Sequence, residues 1–321
     1  NRLSQLGPGV AWTDLNEDGF EDLVIGAGRG SSLLVYYGQK DGRFKLTQGP
    51  LADLDQTGVI GWTAKPGSPM LLVGYSNYEA PSKAFVQSPS VRGFNSEEQF
   101  TTSLSLPGHR STTGPMAVTD VDGDGDLDLF VGGRMVPARY PEPANSQIFL
   151  NVDGNLKLDS TNAKVLEKLG LVSGAVFGDL DGDGDADLVL ALEWGSVKVL
   201  RNDSGKFSDA TQEFGFASHQ GWWNSVAIGD FDSDGRLDII AGNWGRNSKY
   251  ERSYNDKQPL RMAYSDFNKD GVLDIVEYHF DKLTGKMVPE RGRSCTMNAM
   301  PFIGEQNKSF ELFGSRSLEE V

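Results

Sequence analysis

Five segments of the chain share one plan: a short apolar strand, an acidic loop of nine residues, and a second apolar strand. Each loop carries oxygen-bearing side chains at positions 1, 3, 5 and 9, with glycine at position 6. We number the loops in chain order as residues 14–22, 120–128, 179–187, 230–238 and 266–274. Repetition of this kind is typical of folds built from one supersecondary unit, so the repeat constrains the fold more than any other feature.

The loops place oxygen atoms in the pattern that a calcium ion requires. Calcium takes six to eight oxygen ligands in flexible geometry, whereas magnesium demands a regular octahedron and softer metals prefer nitrogen or sulfur. With three histidines and one cysteine in the chain, carboxylate chemistry is favoured. The predicted side-chain ligands are Asp14, Asn16, Asp18 and Asp22 in loop 1; Asp120, Asp122, Asp124 and Asp128 in loop 2; Asp179, Asp181, Asp183 and Asp187 in loop 3; Asp230, Asp232, Asp234 and Asp238 in loop 4; and Asp266, Asn268, Asp270 and Asp274 in loop 5.

Position 7 of each loop is predicted to supply a backbone carbonyl, because glycine at position 6 permits a sharp reversal of the chain. The residue type at position 7 varies, and neither arginine nor valine binds calcium through its side chain. The predicted carbonyl ligands belong to Phe20, Asp126, Asp185, Arg236 and Val272. The sequence therefore predicts about five calcium sites, one in each loop.

The spacing of the loops indicates the fold. Loops 2, 3 and 4 follow one another at intervals that suit a four-stranded blade of a β-propeller, whereas about twice such an interval separates loops 1 and 2. We therefore expect a blade without a loop between them, with strands at residues 59–63 and 70–76. Paired β-rich runs joined by Asp-Gly or Ser-Gly turns follow loops 1, 2 and 3, and they predict hairpins.

The predicted fold is an all-β propeller of six to seven blades over residues 1–296. The short interval before loop 5 leaves no room for a hairpin and predicts a long loop over residues 243–260. Alternation is lost over residues 297–321, which predicts a helical or irregular segment. We expect that segment to continue beyond Val321 into a closing region.

Charge and composition exclude several classes of partner. The chain has 45 acidic and 30 basic residues, and the resulting net charge of −15 repels nucleic acid and anionic lipid. No apolar run of about 18 residues is present, so membrane insertion is not expected. The single cysteine, Cys295, cannot form an internal disulfide. Because the chain begins with Asn1 rather than methionine, we expect either a removed signal peptide or a start within a longer chain.

Two further patterns carry alternative interpretations. Loop 5 also satisfies the EF-hand pattern with Glu277, but β-prone residues follow the loop where an EF-hand needs a helix, so we predict a strand at Glu277. Aromatic and amide residues near loop 4 and in the loop-free blade either form a ligand surface or wedge neighbouring blades together. This candidate ligand surface comprises Asn77, Tyr78, Trp222, Trp223, Asn243, Trp244 and Tyr250.

The five loops and the segments GPGVAWTDLNEDG, GYSNYE, GNWGRNSKY and PLRMAYSDFNKDGVLD resemble the FG-GAP/VCBS repeat family, which includes the integrin α-subunit propeller. Within that family the chain looks similar to bacterial secreted proteins related to cartilage acidic protein, which often carry an ASPIC/UnbV region. The resemblance implies one calcium ion per loop on one face of the propeller. It also implies partners that dock on the opposite face or on its rim.

These observations predict a calcium-binding, integrin-like scaffold that binds a protein or glycan, as in cell adhesion. We expect the ions to be structural and the location to be extracellular, periplasmic or at the cell surface. No constellation of catalytic residues stands out beyond the loops, so we do not expect an enzyme. Two alternatives stay open: a propeller enzyme that acts on polysaccharide as a lyase or hydrolase, and a structural module of a larger surface protein.

Overall fold

A computed structural model provides the structure of the 321-residue chain. It describes residues 8–78, 86–95, 100–245, 248, 250–253 and 257–321. The chain divides into two compact units. The first comprises residues 1–137 and 142–243, and the second comprises residues 138–141 and 244–321.

Antiparallel strands dominate both units, and the described helices are short. The strands of the first unit are β1 (Val10–Thr13), β2 (Asp22–Ile25), β3 (Ser32–Gly38), β4 (Phe44–Leu51), β5 (Gln56–Thr63), β6 (Pro69–Tyr75), β7 (Val91–Asn95), β8 (Thr102–Leu106), β9 (Thr112–Thr119), β10 (Asp128–Met135), β11 (Gln147–Val152), β12 (Asn155–Leu158), β13 (Leu171–Gly178), β14 (Asp187–Gly195), β15 (Lys198–Asp203), β16 (Lys206–Asp209), β17 (Gly221–Gly229) and β18 (Asp238–Asn243). The second unit contains β19 (Arg261–Ser265), β20 (Asp274–Asp281) and β21 (Lys286–Pro289). The α-helices are α1 (Ala163–Leu166), α2 (Arg293–Ala299), α3 (Pro301–Gln306) and α4 (Phe310–Ser315), and short 3-10 helices span Glu251–Ser253 and Leu318–Glu320.

The strands of the first unit form consecutive antiparallel meanders. Sheet I contains β1–β4, sheet II contains β5–β8 and sheet III contains β9–β12. Sheet IV contains β13–β16. Strand β14 also pairs with β17, and β17 pairs with β18 in an antiparallel hairpin. In sheet II a plain turn joins β5 to β6, so the predicted sheet without an acidic loop is confirmed.

Alternate residues of a central strand face different neighbouring sheets. In β6, Leu71 and Val73 pack with side chains of sheet I, whereas Met70 and Leu72 pack with side chains of sheet III. In β10, Phe130 packs with side chains of sheet IV. Consecutive sheets of the first unit therefore pack face to face in chain order. Because the middle sheets are covered on both faces, their central strands are apolar almost throughout.

The second unit combines one sheet with the three C-terminal helices. Sheet V contains β19–β21. Met300 between α2 and α3, Ile303 of α3 and Phe313 of α4 are buried and pack against Val276 of β20. Cys295 is exposed in α2. None of the helices in the described ranges is long and apolar enough to cross a membrane.

Most of the expected elements are present. The predicted hairpins after loops 1, 2 and 3 are β3–β4, β11–β12 and β15–β16. The C-terminal segment is helical as predicted, although its first helix begins at Arg293, before residue 297. The blade count and the boundary at residue 296 stay predictions. Parts of the predicted loop over residues 243–260, and Glu79 of the segment GYSNYE, lie outside the described residues.

Candidate metal centres

Each acidic loop joins two neighbouring antiparallel strands. The aspartate at position 9 is the first residue of the second strand in all five loops, and it pairs with the residue that precedes position 1. The pairs are Thr13↔Asp22, Thr119↔Asp128, Gly178↔Asp187, Gly229↔Asp238 and Ser265↔Asp274. The strand register therefore holds the two ends of each loop side by side, as a nine-residue ion-binding loop requires.

Aspartates at positions 1 and 5 accept hydrogen bonds from backbone N–H groups of their own loop. In loop 2, Asp120 Oδ1 accepts a hydrogen bond from the Gly123 N–H at 2.8 Å, and Asp120 Oδ2 accepts one from the Gly125 N–H at 2.9 Å. Asp124 Oδ1 accepts a hydrogen bond from the Asp126 N–H at 2.9 Å. Bonds from position 6 to position 1 and from position 7 to position 5 recur in all five loops. The loops therefore share one conformation despite their different sequences.

Two positions of each loop are left-handed. The glycine at position 6 has a positive φ in every loop, for example 94° at Gly125, and a Cβ placed there meets no atom within 4 Å. Backbone conformation alone therefore selects glycine at this position. Position 4 is also left-handed throughout, at Glu17, Gly123, Gly182, Ser233 and Lys269. Position 4 is not among the predicted loop positions, although glycine there in loops 2 and 3 is a usable signal.

Carboxylate oxygens converge in three loops. In each, one oxygen from each of three aspartates lies within 4.8 Å of the others. The sets are Asp120, Asp122 and Asp128; Asp179, Asp181 and Asp187; and Asp230, Asp232 and Asp234. Two ligands on opposite sides of a calcium ion, each at about 2.4 Å, are about 4.8 Å apart, so each set fits the shell of one ion. The hard oxygen donors favour calcium over softer metals.

Loops 1 and 5 differ because asparagine occupies position 3. The Asn16 Nδ2 donates a hydrogen bond to Asp18 Oδ2 at 3.0 Å, and Asn268 Nδ2 donates one to Asp270 Oδ2 at 3.0 Å. A cation requires the amide oxygen at this place, so calcium binding in these loops requires the amide to rotate. The two loops also carry one carboxylate fewer, which weakens their attraction for a cation.

Loop 3 has a basic neighbour. Arg201 Nε lies 3.0 Å from Asp181 Oδ2, and another nitrogen of the same guanidinium lies 2.9 Å from Glu213 Oε2. Calcium at loop 3 therefore competes with this ion pair for Asp181.

The position-9 aspartates of sheets I, III and IV are buried at the base of their loops. Asp22 and Asp187 are 0% exposed and Asp128 is 1% exposed. Each carboxylate accepts one hydrogen bond from the backbone N–H at position 2 of its loop and one from a backbone N–H of the third strand of its sheet. The donors are Leu15 and Gly38 for Asp22, Val121 and Asn151 for Asp128, and Leu180 and Asn202 for Asp187. Burial raises the pKa of all three carboxyls, to about 6 for Asp128, and neighbouring loop aspartates add to the effect.

Two buried asparagines connect the loops to neighbouring sheets. The Asn202 N–H donates to Asp187, and its side-chain Nδ2 donates to the carbonyl of Val121 in loop 2 at 2.9 Å. Asn151 repeats the arrangement, since its Nδ2 donates to the carbonyl of Ala64, the residue after β5 of sheet II, at 3.0 Å. Neither asparagine is among the predicted site residues. The available signal was an asparagine three residues before the glycine of each hairpin turn.

Comparison with protein families matches the same segments. An FG-GAP-like repeat matches over residues 120–190 and 179–241, and an FG-GAP repeat matches over residues 6–44. Together these matches span half of the chain and contain loops 1 to 4. The chain belongs to the FG-GAP repeat family. No curated protein matches it.

Solved structures that resemble this FG-GAP protein include two of BBS1N in complex with ARL6DN. The crystal soaked with mercury has 12% sequence identity and a TM-score of 0.47, and the match covers 88% of this chain and 78% of that chain. The crystal soaked with lead has 11% identity and a TM-score of 0.42, with 85% and 75% covered. At such values no function is transferred from these structures.

Two candidate ligand residues that follow β6 of sheet II make contacts inside the first unit. Asn77 is buried, its Nδ2 donates to the carbonyl of His109 at 2.8 Å, and its Oδ1 accepts from Thr112 Oγ1 at 2.5 Å. The Tyr78 hydroxyl donates to Asp55 Oδ2 at 2.6 Å. Asn77 thus ties sheet II to sheet III, whereas Tyr78 lines a cavity of the first unit.

Three other candidate ligand residues belong to the β17–β18 hairpin. The ring of Trp222 lies 5.1 Å from the ring of Trp194, centroid to centroid. Trp223 Nε1 donates to the carbonyl of His219 at 3.0 Å, and Trp223 pairs with Asn243 across the hairpin. These contacts fit the alternative in which aromatic residues pack strands together, and a ligand role for them stays a prediction.

The last two candidate ligand residues lie in the second unit. Trp244 is 46% exposed and packs edge to face with Tyr250 at 6.1 Å. The Tyr250 hydroxyl donates to Glu277, which also accepts from Arg291 Nε at 3.1 Å. Glu277 is a buried residue of β20, so the predicted strand assignment is confirmed. Burial and the Glu277 carboxylate raise the pKa of Tyr250.

Proposed function

We propose that this chain is a calcium-stabilised β-propeller that presents a binding surface for a protein or glycan outside the cytoplasm. The proposal rests on the carboxylate oxygens of three aspartates that lie within 4.8 Å of one another in loops 2, 3 and 4. Like charges at such distances repel strongly, and a divalent cation removes the repulsion. Loops 1 and 5 have the same backbone conformation and complete a set of about five sites.

Calcium has a structural role in this proposal. Each loop connects two strands, and the position-9 aspartate in sheets I, III and IV also holds the third strand. An ion that binds only the folded loop stabilises the folded state by roughly 1–3 kcal/mol per site under favourable saturation. Calcium is abundant outside the cytoplasm, so weak nine-residue loops stay filled there. This argument supports an extracellular, periplasmic or cell-surface location.

The partner is proposed to dock away from the loops. The net charge of −15 disfavours nucleic acid as a partner and leaves proteins and glycans. We assign the chain no catalytic step. Cell adhesion, and a closer relation to bacterial secreted proteins with an ASPIC/UnbV region, belong to the same proposal.

Calcium titration of EDTA-stripped protein, followed by thermal melts in EDTA, calcium and magnesium, tests the proposal. We expect uptake of about five ions and a melting temperature that calcium raises far more than magnesium does. Asp122→Ala should remove one site. Asp41→Ala, which changes an exposed turn outside the loops, should retain all of them. An unchanged melting temperature without calcium uptake overturns the calcium sites, and turnover of a polysaccharide contradicts the non-catalytic assignment.

A further inference from the structure

The first unit contains a cavity of about 370 Å³. It lies where the first strands of sheets II, III and IV begin, and its wall includes Thr57 of β5, Thr113 of β9 and Ser173 of β13. Arg134, near the end of β10, closes another side. The volume falls at the lower end of the range for small-molecule sites, so the cavity accepts a compact ligand.

The cavity and loop 2 lie at opposite ends of the same strands. In the pairing of β9 with β10, Thr112 faces Met135, and both residues line the cavity. At the other end of that pair, Thr119 faces Asp128 of loop 2. Eight residues of extended strand span roughly 25 Å, so a ligand in the cavity does not touch the ion site.

One carboxylate in the cavity is held in place by neutral donors. Asp55 Oδ1 accepts a hydrogen bond from the Arg29 N–H at 2.8 Å, and Asp55 Oδ2 accepts one from the Tyr78 hydroxyl at 2.6 Å. A carboxylate has about four lone-pair sites, so Asp55 retains acceptor capacity for a ligand. Tyr78 also lines the cavity and presents an aromatic ring beside it.

The cation of the cavity is already paired. The guanidinium of Arg134 donates to the buried carboxylate of Glu193, and only 12% of the Arg134 side chain is exposed. Glu193 therefore neutralises most of its charge, while the guanidinium has five N–H donors in total. Asp55 and Arg134 together offer the cavity acceptors and donors without a strong excess of either charge.

A buried hydroxyl supports a ligand that makes hydrogen bonds. Thr57 Oγ1 is buried and has no hydrogen-bond partner within the part of the chain that the structure describes. Thr57 also lines the cavity. A buried hydroxyl without a partner is costly. Because this oxygen has almost no accessible surface, a ligand hydroxyl pairs with it only after the Thr57 side chain rotates about χ1, and that pairing removes the cost.

We propose that this cavity binds one neutral sugar residue of a glycan, through Asp55, Thr57 and Arg134, with Tyr78 against the sugar ring. An anion meets Asp55 and a cation meets Arg134, whereas sugar hydroxyls both donate and accept and carry no charge. This inference rests on the proposed function, because it names the ligand class of the scaffold.

The test uses the full chain in calcium, with methyl glycosides of glucose, galactose, mannose and N-acetylglucosamine as probes. Saturation-transfer NMR identifies binders, and titration measures their affinity. For a binding glycoside we expect Thr57→Val and Asp55→Asn each to weaken affinity about tenfold. Matched controls are Thr47→Val on β4 and Asp41→Asn in an exposed turn, which should leave affinity unchanged. Acetate, lysine and glycine serve as charged probes.

Saturable binding of a neutral glycoside that both cavity variants weaken supports the proposal. Absence of binding by every glycoside, equal binding by cavity variants and controls, or binding of the charged probes alone overturns it. Calcium stoichiometry measured on the same samples distinguishes a failure of the sugar site from a failure of the proposed function. If calcium still binds and no glycoside does, only the sugar site is wrong, whereas loss of calcium binding contradicts the proposed function.

Discussion

Asp128 and Asn151 lie 23 residues apart, and the Asp128 Oδ1 accepts a hydrogen bond from the Asn151 N–H at 2.7 Å. The Oδ2 of Asp128 accepts another from the Val121 N–H at 2.8 Å. Asp128→Ala leaves two buried N–H groups without this acceptor, so we expect the free energy of unfolding to fall by roughly 2–4 kcal/mol, even in EDTA. Urea unfolding of the metal-free protein measures the change.

Asp122→Ala is the matched control in the same loop. Asp122 is exposed, and nearby loop aspartates raise its pKa in addition to the larger effect of desolvation. Removing this like charge should leave stability in EDTA unchanged or slightly higher, although both variants lose calcium at loop 2. Equal losses of stability in EDTA for the two variants would contradict the anchoring role of Asp128.

Stability in the absence of metal should depend on pH through Asp128. Burial raises the pKa of this carboxyl from an ordinary 3.8 to about 6. Because the folded-state pKa lies above the unfolded one, the stabilising contribution is fully present below 3.8 and is lost as the pH rises through about 6. In EDTA we therefore expect a higher melting temperature at about pH 5 than at about pH 7. The pKa values of Asp22 and Asp187 are raised in the same direction.

Calcium should reverse this order, because the ion binds deprotonated carboxylates and is released as they protonate. Melts across the same pH range in EDTA and in calcium provide the measurement. Asp128→Ala should flatten the part of the EDTA profile near pH 6, the value to which the Asp128 pKa is raised. An EDTA profile that is identical in the variant would show that other groups control the dependence.

Asn202→Ala should weaken a site that it does not ligate. Its side chain donates to the Val121 carbonyl in loop 2 at 2.9 Å, and Asn202 is fully buried. The substitution leaves that carbonyl without this donor and should lower the free energy of unfolding by roughly 1–3 kcal/mol. Calcium titration should also show weaker binding at loop 2. Asn155→Ala, on an exposed part of the neighbouring hairpin, is the control that should change neither quantity.

Gly125→Ala tests the left-handed backbone of loop 2. The φ of Gly125 is 94°, and an added Cβ meets no atom within 4 Å. The cost is therefore conformational and should be roughly 1–2 kcal/mol of unfolding free energy. Gly28→Ala is the control, since its nearest neighbour is Asp55 Oδ1 at 3.6 Å and its φ is not left-handed. Thermal melts of both variants that shift equally would refute the assignment of strain to the loop.

Tyr250→Phe should destabilise the second unit. It removes the hydroxyl that donates to buried Glu277, which leaves the carboxylate with one hydrogen bond fewer. We expect a loss of roughly 1–3 kcal/mol. Tyr264→Phe in β19 is the matched control, because Tyr264 is 45% exposed. Denaturant unfolding followed by a probe in the second unit distinguishes the two variants.

The loops were predictable because their chemistry is local. Asp120, Asp122 and Asp128 lie within nine residues, so spacing alone indicates that their oxygens come together. The hairpins were predictable for the same reason, since turn residues and period-2 alternation are read over short windows. Long-range contacts left no such trace. Asn202 and Val121 are 81 residues apart, and only the packing of sheet IV on sheet III makes them neighbours.

Sheet membership and the cavity were also beyond the sequence. The pairing of β14 with β17 depends on where the fourth hairpin packs, and no residue pattern in β17 encodes that choice. Tyr78 was predicted as part of the candidate ligand surface, but no sequence pattern links it to Asp55. Their hydrogen bond exists because β5 and β6 of sheet II bring the two segments together.

Two buried asparagines link neighbouring sheets, and these links have a thermodynamic consequence. One hydrogen-bonded path runs from Asp187 through Asn202 to Val121. The other runs from Asp128 through Asn151 to Ala64. This path joins sheet IV to sheet III and sheet III to sheet II, so these three sheets form a short one-dimensional series with nearest-neighbour coupling. If calcium fills the loops as proposed, occupancy of loop 3 biases loop 2 directly, whereas sheet II, which has no acidic loop, interrupts the series before loop 1. Release of calcium from loops 2 and 3 is therefore expected to be coupled, whereas loop 1 should lose its ion independently of them.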